Sequence, residues 1–175
     1  MSIEEIKRTY YHEALALAQR ALISGLIVCA IAYSIVITGE GKAAYVIPFF
    51  NIELSSKRTF SISLLFLFFF FGLICSYSIE KANKIRRDIA DIEIADYLLE
   101  SPNIFYSNIL IRACLYAILF SAGAGLIKNL FELDTWIISL TGSALATPYF
   151  LALYSSNPYN GRAEKPRVNS SKKQP

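Results

Sequence analysis

The chain has 175 residues, 54% hydrophobic and 18% charged, with a mean hydropathy of +0.41. A typical soluble domain carries about 25% charged residues, so the composition disfavours a soluble globular enzyme, a disordered chain and a collagen-like fibre. The formal net charge is only +3, so the placement of the charges carries more information than their sum.

Residues 2–20 read as an amphipathic helix. Ser2 followed by Glu5 is a capping-box pattern, and Ile3, Ile6, Tyr10 and Leu17 recur at helical spacing. Glu4 and Glu5 stand where a signal peptide would be basic, so the apolar run that follows is read as a retained anchor. A spanning helix needs about 20 mostly apolar residues. Runs of this kind occur at 21–38, 60–79, 104–127 and 136–154. The fold class expected is therefore an all-α integral membrane protein, a four-transmembrane-helix bundle with a cytoplasmic helical extension. Its membrane domain covers residues 1–154.

Between the first two runs lies a loop that contains Tyr45, Pro48, Phe49 and Phe50. It is too apolar to stay in water and too short to span, and Pro48 interrupts regular structure. A loop on the outer headgroup layer is favoured over a re-entrant segment. The alternation in Asn51-Ile52-Glu53-Leu54 hints at an extended piece.

After the second run, residues 80–100 read as one cytoplasmic helix. Its seam is Ala82, Ile85, Ile89, Ile92, Asp96 and Leu99. The bases Lys81, Lys84, Arg86 and Arg87 precede the acids Asp88, Asp91, Glu93, Asp96 and Glu100. In a single helix that order opposes the macrodipole. The basic half is expected to face anionic headgroups, which leaves Ile85, Asp88, Ile89, Asp91, Ile92, Glu93 and Asp96 to dock a partner. Ser101-Pro102 is a helix-start signal.

Arg112 lies inside the third run. It either snorkels to the headgroups, if the span starts near Ala113, or it lines a pore or a bundle interior. Small residues permit close helix approach in lipid. Ser121 and Gly125 in the third run, with Gly123 beside them, supply such residues. So do Ser139, Gly142, Ser143 and Ala146 in the fourth. These two runs are expected to form a tight core or an oligomer seam, and the phenylalanine-rich second run to face lipid or an apolar groove. Pro148 is expected to kink the fourth run. Residues 155–175 carry five basic residues and one acid among prolines and read as a disordered basic tail.

With the N-terminus in the cytoplasm, the inner segments hold 12 Lys and Arg and the outer loops hold 4. That bias places both termini inside a cell membrane. The cysteines, Cys29, Cys75 and Cys114, all sit in apolar runs, which argues against a disulfide framework. With His12 as the single histidine, no metal cluster or serine–histidine–acid set can be assembled, and no phosphate loop or CxxC occurs. No catalytic residue, metal or cofactor is assigned. The expected partners are the lipid bilayer, further copies in a homo-oligomer and a soluble cytoplasmic protein, with no direct nucleic-acid contact. The function expected is a non-enzymatic membrane subunit that senses membrane state or anchors that protein. A homo-oligomeric pore or membrane-perturbing effector is the alternative. Colicin-immunity proteins and small membrane subunits of bacterial antiphage systems are similar in size and layout, though no residue motif carries the likeness.

Overall fold

The structure, a computed structural model, describes residues 3–38, 45–47, 52–54, 56–89, 98, 103–128, 130–131 and 134–156. Its elements are α1 (Ile3–Thr38), a hairpin of β1 (Tyr45–Ile47) and β2 (Ile52–Leu54), α2 (Lys57–Arg87), one 3-10 turn (Ile104–Tyr106), α3 (Ile109–Lys128) and α4 (Thr135–Ser155). All four helices are long and apolar enough to cross a membrane. Together with the apolar side chains on their outer faces, such as Phe66, Leu140 and Leu151, they suit a membrane location.

At 1.5 Å per residue, α3 and α4 (20 and 21 residues) are about 30 Å long, the hydrocarbon thickness of a bilayer. By the same rule α1, with 36 residues, is about 54 Å long and α2, with 31, about 46 Å. The excess lies at the end where α1 starts, α2 ends, α3 starts and α4 ends, here termed the head end. Side-chain bonds set the level there. Gln19 of α1 faces Asn103, and Asn83 of α2 faces the last residue of α4. Most of the first half of α1, and the last turn of α2, lie beyond that level.

The amphipathic stretch at 2–20 and the first apolar run are one unbroken helix. No proline interrupts them and the single glycine, Gly25, is filled by a side chain from α4. The stretch at 80–100 departs from expectation in the opposite way. Residues 80–87 continue α2, which stops at Arg87 with Asp88 as its C-cap. The Asp88 N–H donates to the carbonyls of Lys84 and Ile85 at 3.1 and 3.2 Å, and the Ile89 N–H to that of Arg86, three residues back, at 3.2 Å, which closes the helix. Lys84, Arg86 and Arg87 thus occupy a last turn, where positive charge complements the dipole. Of the acids that follow them, Asp88 is the C-cap, and Asp91, Glu93, Asp96 and Glu100 lie outside the described residues.

The third apolar run is also divided. Ile104–Tyr106 form the 3-10 turn, and Asn103 caps it by accepting from the Phe105 N–H at 3.0 Å. Ser107 and Asn108 separate that turn from α3. At the opposite end, the loop expected on the headgroup layer contains an antiparallel hairpin with Tyr45 opposite Leu54 and Ile47 opposite Ile52. Pro48, Phe49 and Phe50 lie outside the described residues.

The core is one cluster through all four helices and the 3-10 turn. The α1–α2 contact is the most extensive, followed by α3–α4 and α2–α4. The second run is therefore more than a lipid-facing helix. One face of α2 (Phe60, Leu64, Phe68, Cys75, Ile79, Ala82) is buried, and the opposite face is exposed.

Candidate functional site

Two sets of contacts organise the bundle. The first lies halfway along it, around Tyr149 of α4. The ring is fully buried, and its hydroxyl donates to the Phe68 carbonyl of α2 at 2.8 Å. A Cβ added at Gly25 of α1 would stand 2.0 Å from that hydroxyl oxygen, and one at Gly72 of α2 would stand 2.9 Å from the ring. Two glycine notches on neighbouring helices therefore receive one aromatic wedge. Phe68 lies beside the ring with centroids 4.9 Å apart, a favourable tilted pairing.

The second set is the head. The Lys7 ammonium donates to the Asp88 carbonyl at 2.6 Å, which ties the start of α1 to the end of α2. The Tyr11 hydroxyl shares a 2.6 Å bond with the Tyr106 hydroxyl and reaches the Leu98 carbonyl at 3.5 Å. One proton arrangement satisfies both, with Tyr106 donating to Tyr11 and Tyr11 to Leu98. Beneath this node Leu15, Ala18, Ile79, Ala82, Ile89 and Phe105 are buried. Burial holds the Tyr11 phenol neutral far above its ordinary range, with Tyr106 adding to the effect. Burial raises Tyr106 as well. Burial also lowers the His12 pKa, helped by Arg8.

The end of α4 enters the same region and is gripped from several elements. Arg112 of α3 donates to the Leu153 carbonyl, and Tyr116 to the Phe150 carbonyl at 3.4 Å. Asn83 of α2 donates to the Ser155 carbonyl at 2.9 Å. The Ser156 hydroxyl reaches the carbonyl of Leu153 at 2.9 Å and that of Phe105 at 3.4 Å. The last carbonyls of a helix have no partner within it, and a cation there also complements the dipole.

The residues read from sequence as sites fall into four groups. Of the docking set, Ile89 is buried and Ile85 half-buried against the chain's own core, while the Asp88 side chain is exposed. Asp91, Ile92, Glu93 and Asp96 lie outside the described residues. Arg112 stands in the first turn of α3, half-buried at the end of α4, at the level of the head.

The small residues divide. Gly142 meets α3 at Gly123 and Ala124, close enough that a Cβ at Gly142 would stand 2.5 Å from the Ala124 nitrogen. Ala146 is buried. Ser139 and Ser143 instead donate to carbonyls of their own helix. Ser121 and Gly125 face Tyr33 of α1, whose hydroxyl lies 2.8 Å from the Ser121 hydroxyl. Of the outer loop, Tyr45 lies in β1.

Sequence reasoning missed Tyr11, Asn83, Tyr106 and Tyr149. Single glycines in otherwise bulky runs, Gly25 and Gly72, were the available signal of a close approach.

Among the described residues no group of three or more His, Cys, Asp or Glu side chains could hold a metal ion. Compared with known proteins, the chain matches no family model, no curated protein and no solved structure.

Proposed function

We propose that the chain is a non-enzymatic four-span membrane subunit whose head stands in the cytoplasm and anchors a soluble protein partner there. The observation that carries this reading is the excess length of α1 and α2 at one end. Seventeen residues separate Ile3 from Arg20, about 26 Å of helix beyond the level of the bilayer surface. That length is closed into a cross-linked unit by Lys7, Tyr11 and Tyr106. A preorganised surface loses little freedom on docking. The 12-to-4 bias of Lys and Arg supports the cytoplasmic placement.

The pore alternative draws less support. Arg112 is engaged at the end of α4, and Gly123 and Gly142 meet within one chain. Neither feature calls for a second copy.

The test is a gentle-detergent pull-down of the full chain, with mass photometry and mass spectrometry on the eluate. A soluble protein is expected at fixed ratio. It is expected to be lost from the variant D88K/D91K/E93K, which still inserts. Persistence of every co-purifying protein in that variant would sink the docking reading. A homo-oligomer with no stoichiometric partner would favour the pore.

A further inference from the structure

Among the described residues, one face of α2 has no neighbour. Phe66, Phe70, Leu73 and Tyr77 are all exposed along it, Phe66 and Tyr77 by 67% each. Their spacing of 4, 3 and 4 residues keeps them on one side of the helix. Lys81 and Lys84 extend the same stripe at spacings of 4 and 3, and both are exposed. We propose that this face is a binding site for an anionic phospholipid, with the acyl chains on the phenylalanines and the phosphate between Lys81 and Lys84.

The dimensions and the order of chemistry argue for that occupant. From Phe66 to Tyr77 the helix rises about 16 Å, the hydrocarbon depth of one leaflet at about 15 Å. Tyrosine follows at the boundary, where its ring and hydroxyl suit the interface. Lys81 lies about 6 Å further on and Lys84 about 10 Å, within headgroup reach once their stems bend back. Two exposed acids flank the stripe. Glu80 and Asp88 stand four residues before and after Lys84, while Lys81 has no acid three or four residues away. The inference shares the membrane placement of the proposed function but not its soluble partner.

The test uses the full chain in mild detergent, with native mass spectrometry. The probes are palmitoyl-oleoyl phosphatidylglycerol and the phosphatidylcholine with the same chains. Wild type is expected to retain the anionic lipid about tenfold better or more, since each surface Lys is worth roughly fivefold toward an anionic leaflet. K81Q/K84Q is expected to erase that preference, and K81R/K84R to keep it. F66A/F70A is expected to weaken both lipids alike and leave their ratio unchanged. Unchanged preference in K81Q/K84Q would overturn the proposal. So would displacement of the lipid by inorganic phosphate at matched ionic strength, which would leave a bare phosphate site. A dimer that F66A/F70A dissociates would assign the face to a second copy instead. None of these outcomes depends on whether a soluble protein co-purifies.

Discussion

Tyr149 is the residue on which three helices agree. Its hydroxyl bond to Phe68 is worth about 1 kcal/mol, while overpacking a filled notch costs about 1–3 kcal/mol. Gly25→Ala is therefore expected to lower the melting temperature in detergent more than Tyr149→Phe does, because the added methyl meets the ring at van der Waals overlap. The reverse order would mean that α4 slides to make room. Arg112 makes a different kind of contribution. Arg112→Gln is expected to speed hydrogen exchange in the last turn of α4, and Arg112→Lys to restore part of the protection. A lysine keeps the charge but loses the planar fork. If Arg112→Gln leaves exchange unchanged, the cation does not hold that helix end. The residue scale was also the least legible in the sequence. Arg112 could be narrowed to two placements from its position alone. Only the structure supplies its partner, the Leu153 carbonyl, because an accepting backbone group leaves no trace in the residue letters.

Among the elements, the two that differ most from expectation differ for one reason. Periodicity reports where a helix would be satisfied, and hydrogen bonds decide where it stops. Ala82, Ile85 and Ile89 kept their period past Arg87, yet the Ile89 N–H bonds the Arg86 carbonyl three residues back, and the α-helical ladder ends there. The four apolar runs were legible because each approaches the thickness of a bilayer, a constraint written directly in composition. The head was only half legible. The apolar stripe on 2–20 was visible, but the described groups that meet it are the end of α2, Leu98 and the 3-10 turn, and long-range pairing has no local signature.

The head also has a pH signature. Tyr11 is held neutral when folded, so the stability from its burial is complete below the ordinary phenol value of about 10 and is lost as pH rises through it. His12 has the opposite sense. Its lowered pKa means the unfolded chain binds the proton first, so stability falls as pH drops below about 6.5. Melting temperature against pH is thus expected to fall on both limbs, with Tyr11→Phe flattening the alkaline limb and His12→Gln the acid one. Limbs that ignore these substitutions would show that other groups set the profile.

For the whole molecule, the arrangement makes a statement about depth. Cysteines introduced in a C114S background are expected to divide at the level of Gln19 and Asn83. Glu13→Cys is expected to react with a membrane-impermeant maleimide in sealed vesicles opened to the head side. Phe70→Cys and Leu140→Cys are expected to stay unlabelled. Rapid labelling of Phe70→Cys would remove α2 from the bilayer and, with it, the membrane reading.

The wedge at Tyr149 and the grip on the end of α4 have a consequence for how the protein is made. Among the described residues, the groups on other elements that receive α4 are synthesised before it, Gly25, Phe68, Gly72, Asn83, Arg112, Tyr116 and Gly123 among them. Translation therefore makes this socket before α4 emerges from the ribosome. A chain truncated ahead of Thr135 would hold two facing glycines with nothing between them and an arginine with no carbonyl to bind. Quality control that recognises unfilled gaps between helices would read that fragment as unfinished, with α4 as the piece that fills them.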